Sequence, residues 1–240
     1  MTTTVEYVPG FNVELLQDTD LYRSSIDSVL LAHWIQARPH QIVVDLCSGS
    51  GIIGLCVTQK FQVTTYLFEL QEQLATLAQQ SINRNHLQQQ VQMINSDVKD
   101  VLQYLPHDST DIISCNPPYF APKDTPTLGK SLSHNIARHE IYFSQELLAQ
   151  TASSLLKDNG VLYLVYRLDR LFELSEILKQ HHLPIKELLY IHPHVGDDAN
   201  LVLVKCRKTM RSNGLKVWPS LVLYNNDDTY TKQLQDFIND

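Results

Sequence analysis

The class this chain predicts is an open α/β fold: a mostly parallel sheet of seven strands with helices on both faces and an antiparallel edge strand. Three observations predict it. Apolar, strand-like runs alternate with segments of helical period along most of the 240 residues. The run Ile42 to Leu46 passes through Asp45-Leu46-Cys47-Ser48-Gly49-Ser50-Gly51 straight into a helical segment, Ile52 to Gln59. Val161 to Tyr166 is apolar without alternation, as a strand covered on both faces must be.

Taken in order, Tyr22-Arg23-Ser24-Ser25-Ile26-Asp27 leads into Ile26, Val29, Leu30, His33 and Trp34, the spacing of a helix. Ser24 or Ser25 is its natural N-cap, and Asp27 suits the positive end of the helix. The same cap could close over a ligand at the first strand of the sheet. Gly49 and Gly51 permit positive φ and close approach of backbone to that ligand, which in such a fold lies beyond the carboxyl ends of the strands. Val63 to Leu67 is the second strand and ends near Glu69; Leu74, Leu77, Ala78, Ser81 and Ile82 then mark one face of a helix. The third strand, Val91 to Ile94, is followed by Ser96-Asp97, and the fourth, Ile112 to Cys115, by Asn116-Pro117-Pro118-Tyr119.

The segment from Phe120 to Arg138 has no clear period, and a loop that long inside a domain is functional or mobile. Leu147, Leu148, Ala152 and Leu155 mark a helix that Asp158-Asn159-Gly160 ends. After Val161 to Tyr166 come a helix at Leu171, Leu174 and Leu178, then strands Leu183 to Ile191 and Leu201 to Lys205. These last two are most easily joined as an antiparallel edge, with His192 and His194 as turn residues. Leu221 to Tyr224 is a final apolar run, and a short helix follows from Thr231.

Asn116-Pro117-Pro118-Tyr119 carries the chemistry. Two prolines make a stiff loop that cannot relax into helix and has few donors. What remains is two acceptors, the Asn116 side-chain oxygen and the Pro117 carbonyl, beside an aromatic ring that can stack on a flat substrate. The lone pair of a conjugated amine is delocalised. Two acceptors that each take one N–H hold the nitrogen towards tetrahedral geometry and free that pair for an electrophile. Tyr119 stacking on a base contributes roughly 1–3 kcal/mol. Gly49, Gly51 and Gly54 also satisfy G-x-G-x-x-G, but a lone match is weak. Asp45 argues against a pyrophosphate there and suits a ligand carrying an ammonium group. Glu69 is placed for the hydroxyls of a ribose, and Asp97 for an adenine amino group.

The formal net charge of −7, with 43% apolar and 19% charged residues, excludes a protein coated in positive charge for nucleic acid. A local patch remains: Lys205, Arg207, Lys208, Arg211 and Lys216 fall between Leu201 and Pro219 with no acid among them, and such a segment can steer RNA. The four cysteines form no C-x-x-C, so neither zinc knuckle nor disulfide framework is indicated. His134, His139 and Glu140 lack i, i+4 spacing, and no metal is expected. Residues 1–10 have no basic or apolar leader character and no run is long enough to span a bilayer, which predicts a cytoplasmic protein without a membrane partner.

D-L-x-x-G-x-G, an acid after the second strand, an acid after the third and N-P-P-Y after the fourth resemble the class I S-adenosylmethionine-dependent methyltransferases acting on exocyclic or amide nitrogen. Tyr22 to Ala32, Arg138-His139-Glu140 and the size of the chain make it similar, within these, to bacterial tRNA methyltransferases that modify the exocyclic amine of adenine beside the anticodon of a valine tRNA. The likeness covers most of residues 20–225 and implies a Rossmann-like methyltransferase fold. It divides the chain into a lead-in with its helix (1–40), the S-adenosylmethionine-binding core (41–208) and an extension of the same domain (209–240). By position, Asp45, Gly49 and Gly51 would hold the methionine end of the cofactor, Glu69 its ribose and Asp97 its adenine. Asn116, Pro117, Pro118 and Tyr119 would hold the target base, with Asn116 also touching the cofactor. Lys123, Arg138, Lys205, Arg207 and Lys208 would bind RNA, and the enzyme is expected to act as a monomer. Cys47 and Ser48 stand where such families often have a small residue or glycine. Rival readings are a ribosomal RNA or DNA adenine methyltransferase, a protein glutamine N-methyltransferase, for which 44 residues ahead of Asp45 leave little room, a nicotinamide oxidoreductase that leaves N-P-P-Y idle, and a binding protein without catalysis.

Overall fold

The computed structural model describes residues 3–19, 21, 25–117, 143–211 and 213–239. Pro118, Tyr119, Lys123, Arg138, the cap candidate Ser24 and the histidines at 134 and 139 lie outside the described residues. In chain order the elements are β1 (Thr3–Tyr7), β2 (Glu14–Asp18), α1 (Ile26–Trp34), β3 (Ile42–Leu46), α2 (Ile52–Phe61), β4 (Thr64–Glu69), α3 (Glu72–Arg84), β5 (Val91–Asn95), β6 (Thr110–Cys115), α4 (Gln145–Leu155), β7 (Leu156–Arg167), α5 (Leu171–Gln180), β8 (Ile185–His194), β9 (Leu201–Arg207), β10 (Lys216–Val217), β11 (Leu221–Tyr224) and α6 (Lys232–Asn239).

The sheet runs β5-β4-β3-β6-β7-β9-β8, and the short β10 and β11 both pair with the outer edge of β8, making nine strands. β5, β4, β3, β6 and β7 are parallel. β9 is antiparallel to both β7 and β8, so it sits one position in from β8. The seven expected strands form the body of this sheet. Val202, Leu203 and Val204 are fully buried, which an outermost strand would not achieve.

Strand side chains alternate between two apolar layers. Val43 joins Leu30, Ile53, Val57 and Ile82 under α1, α2 and α3; Val44 and Leu46 join Leu148, Ala152, Leu155, Leu174 and Leu178 under α4 and α5. Gly54 lets α2 lie close on β4, because a Cβ there would stand 2.2 Å from Leu67 Cδ2. The β1–β2 hairpin rests on α3, where Leu16 N–H donates to Ser81 Oγ at 3.0 Å and Glu14 N–H to Asn85 Oδ1 at 2.9 Å.

Two boundaries differ from expectation. His192 and His194, expected as turn residues, lie in β8, level with Val222 and Tyr224 of β11. α4 ends at Leu155, and Asp158-Asn159-Gly160 belongs to β7, with Asn159 at φ +66°. Asn159 N–H donates to the Lys208 carbonyl and Lys208 N–H to the Gly160 carbonyl, so pairing with the end of β9 satisfies backbone groups that a helix cap would otherwise take up. Among the described residues, no helix is long and apolar enough to cross a membrane.

Candidate active site

The register puts the carboxyl ends of β3, β4 and β6 level, with Leu46 opposite Phe68 on one side and Cys115 on the other. Asn95 of β5 is level with Glu69. The turn Cys47–Gly51, Glu69, Asp97 and Asn116 therefore share one edge of the sheet. Cys47, Gly49 and Gly51 all hold left-handed backbone, at φ +56°, +58° and +89°. Only glycine adopts this without cost, so Cys47 carries strain of the kind that concentrates at functional turns. A Cβ built on Gly49 meets nothing within 4 Å, so the turn presents an open face.

Glu69 ties that turn to β4. Its Oε2 accepts from Gly49 N–H and its Oε1 from Gln71 N–H, both at 2.8 Å. Burial pushes its carboxyl above the usual range while these N–H groups act against the rise. The Leu70 N–H also bonds this carboxylate, and since an ionised carboxylate offers about four lone-pair sites, acceptor capacity remains for a hydroxyl donor. Asp97 caps the 3-10 turn Val98–Gln103, its Oδ1 accepting from Lys99 N–H at 3.1 Å, and its Oδ2 pairs with Lys99 Nζ at 3.0 Å.

Asn116 Nδ2 donates to Ser28 Oγ of α1 at 2.9 Å. Ser28 is buried, and this bond fixes the plane of the amide, leaving Oδ1 as the acceptor for a substrate N–H. Ser28 carries no signal of its own in the sequence: the helix start at Ser25 and Asp27 reads as a cap that could close over a ligand, and nothing local points from α1 to Asn116. Ser25 does stand at the N-cap position, but its hydroxyl makes no cap bond and is enclosed without a partner among the described residues.

The model of the methyltransferase small domain matches residues 23–188. The chain belongs to that family. It is similar to the tRNA1(Val) (adenine(37)-N6)-methyltransferase of Shewanella baltica (strain OS195), 27% identical over 216 residues, 89% of each chain. The protein of the same name from Shewanella halifaxensis (strain HAW-EB4) is 30% identical over 159 residues, 66% of this chain and 63% of that one. In fold it resembles a predicted O-methyltransferase from Agrobacterium tumefaciens, with TM-score 0.70, 21% identity and coverage of 89% of this chain and 95% of that one. It also resembles precorrin-6y C5,15-methyltransferase from Geobacter metallireducens, with TM-score 0.57, 14% identity and coverage of 85% and 100%.

Within this methyltransferase domain, the expected direct contact of Asp45 needs correcting, and the basic segment of β9 lies apart from the glycine turn. Asp45 has no exposed surface. Its Oδ2 accepts from Gly54 N–H at 3.1 Å and its Oδ1 from Ser114 Oγ at 2.7 Å, so it reaches no ligand directly and instead anchors the start of α2 to β3 and β6. Burial pushes its pKa up to about 7.

Arg207 and Lys208 lie towards the other end of the sheet, while Lys205 is level with Tyr163 and through it with Ser114, one residue before the end of β6. Arg207 is level with Val161, and Val161 with Ile112 near the start of β6, because β9 runs against its neighbours. Lys205 Nζ pairs with Glu187 Oε1 at 2.6 Å, and Lys208 Nζ with Asp108 Oδ1 at 2.6 Å.

The edge fits a nucleoside cofactor with a zwitterionic tail. The open face of Gly49, the spare acceptor sites of Glu69 and the Ser48 hydroxyl, buried without a partner among the described residues, all lie at the turn.

Proposed function

We propose that this methyltransferase domain transfers a methyl group from S-adenosylmethionine to the exocyclic amine of an adenine in RNA, in a valine tRNA beside the anticodon. The observation that carries the reading is Asn116, held by Ser28 at the carboxyl end of β6, level with the glycine turn of β3. The named activity of the Shewanella relatives, similar over 89% of the chain, supports the choice of substrate.

When bound, the cofactor supplies a methyl on a positively charged sulfur. The residues of the chain bind and orient. The Cys47–Gly51 turn offers backbone and the Ser48 hydroxyl to the amino-acid end. Glu69 takes ribose hydroxyls on its spare lone pairs, and Asp97 accepts from the adenine amino group. Asn116 Oδ1 and the Pro117 carbonyl each take one N–H of the target amine, and Tyr119, by its place in N-P-P-Y, stacks on the flipped base. Extracting the base costs a few kcal/mol, roughly, which stacking offsets in part. Most of the acceleration then comes from placing the amine in line with the methyl. Residues 1–40, 41–208 and 209–240 act as one domain, in a monomer, in the cytoplasm.

The test is transfer of labelled methyl into unmodified tRNA, ribosomal RNA, DNA and protein, with nucleoside mass spectrometry on what is labelled. N6-methyladenosine confined to tRNA is expected. Asn116→Ala is expected to lower transfer by about 10²-fold or more while cofactor affinity by calorimetry stays as it was. Label in another fraction would replace the substrate, and equal loss of transfer and cofactor binding would remove the role given to Asn116.

A further inference from the structure

At the end of the sheet opposite the glycine turn, a cavity of about 510 Å³ opens between the chain leaving α1, the first residues of β6, the start of β7 and the last of β9. Four cations and two carboxylates line it, Arg38, Lys157, Lys205 and Arg207 with Asp111 and Asp158. This is a basic hollow in a chain of net charge −7.

Two of the cations are paired internally. Lys157 Nζ lies 2.9 Å from Asp111 Oδ1, whose other oxygen accepts from Ile42 N–H at 2.8 Å. Lys205 Nζ lies 2.6 Å from Glu187 Oε1 and 5.5 Å from the centre of the Tyr163 ring. The guanidinium groups of Arg38 and Arg207 make neither ion pair nor hydrogen bond among the described residues, and both residues are exposed. Asp158, exposed on the rim, is the one lining carboxylate outside these pairs.

Two unpaired guanidiniums that line one hollow favour an anion there, and their planar forks match phosphate oxygens in bidentate fashion. A stacking site for a base is not on offer, since Tyr163, the one aromatic lining residue, is 2% exposed. The volume falls in the range of small-molecule sites, about 300–1,000 Å³, ample for a phosphodiester with its flanking sugars.

We propose that this cavity is a phosphate site clamped by Arg38 and Arg207, and that the phosphate belongs to the RNA backbone on the side of the enzyme away from the target base. The RNA source rests on the function proposed above; the phosphate chemistry does not. Asn116 lies four to five residues along β6 from the lining residues Asp111 and Ile112, roughly 13–17 Å, a span that a folded RNA passing the sheet can bridge and a single nucleotide cannot. The cavity thus acts as a second hold that senses the body of the RNA.

The test uses the full chain, wild type and the double variant Arg38→Ala/Arg207→Ala, with Arg207→Lys as a variant that keeps charge and loses the fork. Inorganic phosphate is titrated by ³¹P NMR, unmodified tRNA is bound across a salt series, and cofactor affinity by calorimetry checks that each variant is folded. The expected result is phosphate binding by the wild type that weakens at least 10-fold in the double variant. The slope of log affinity against log salt for tRNA should fall by about one, the share of one phosphate neutralised. Phosphate binding lost with an unchanged tRNA slope would overturn the RNA source and assign the site to a free phosphate or nucleotide. Equal phosphate binding by both proteins, or none by either, would overturn the site itself. Absence of methyl transfer to tRNA with the phosphate result intact would overturn the proposed function alone.

Discussion

Asn116 and Ser28 stand 88 positions apart and act as one unit. A side-chain amide can present either its oxygen or its nitrogen to a substrate, and only the oxygen accepts an N–H. Ser28 selects the oxygen by occupying the nitrogen. Ser28→Ala is expected to lower kcat about 10-fold, the loss of one hydrogen bond of roughly 1–2 kcal/mol, with cofactor affinity unchanged. Ser28→Thr keeps the hydroxyl and should recover most of that rate in steady-state kinetics; an equal fall in both variants would make the effect one of packing.

Asp45 supplies the pH prediction. Burial raises its pKa from 3.8 to about 7. Between those values the native state keeps a proton that the unfolded state releases, so stability falls as pH rises from about 4 to about 7 and levels off above that. The full contribution is a few kcal/mol, roughly. Asp45→Asn keeps an acceptor for Gly54 and cannot ionise. Its urea midpoints at about pH 5 and about pH 8 should lie closer together than those of the wild type. An unchanged gap would place the titration elsewhere, with Glu69, raised by burial in the same direction, as the next candidate.

The glycine turn and α2 form the element that brings backbone to the ligand, and Gly54 sets how closely they lie on the sheet. A methyl there would meet Leu67 Cδ2 at 2.2 Å, Thr65 Cγ2 at 3.0 Å and Asp45 Cβ at 3.5 Å. Gly54→Ala gains about 1 kcal/mol of helix propensity but must lift α2 off β4, at about 1–3 kcal/mol. Thermal melts should show net destabilisation, with weaker cofactor binding because the turn moves with the helix. A more stable variant with normal affinity would show that α2 has room to shift. β9 teaches a related point. Consecutive basic residues read as one patch, yet Lys205 and Arg207 line one cavity while Lys208, beyond the strand, turns to Asp108 and the Leu156 carbonyl.

At the scale of the whole molecule, the two ends of the chain close one core. Leu234 and Ile238 of α6 pack in the layer that holds Val8, Val13 and Leu15 of the hairpin segment. His33 Nε2 lies 3.0 Å from the Pro9 carbonyl, and the tight approach of Gly10 leaves no room for a Cβ beside the Ile238 carbonyl. Leu234 is fully buried, and Leu234→Ala should cost about 2–5 kcal/mol. Hydrogen exchange should then quicken in β1 and β2 as well as in α6. Faster exchange limited to α6 would show that the hairpin holds without it.

Much of this was legible in the residues alone. The apolar runs, the glycine turn and the proline loop follow from side-chain period and from the φ preferences of glycine and proline, which adjacent residues carry between them. The places of Glu69 and Asn116 at strand ends followed as well, since in parallel strands the end of a run is the ligand end. Direction and depth were not legible. Asp45 was read as a ligand contact because chain position cannot tell a carboxylate at a strand end that faces out from one held inward by Ser114 and Gly54. Ser28 acquired its role only when α1 folded against β6. The basic residues that close β9 carry no place along the sheet in the sequence: because β9 alone runs against its neighbours, Arg207 falls level with Val161 and, through it, with Ile112 near the start of β6. Local sequence sets what a segment becomes; long-range pairing, which no local preference encodes, sets which way it points and what it meets there.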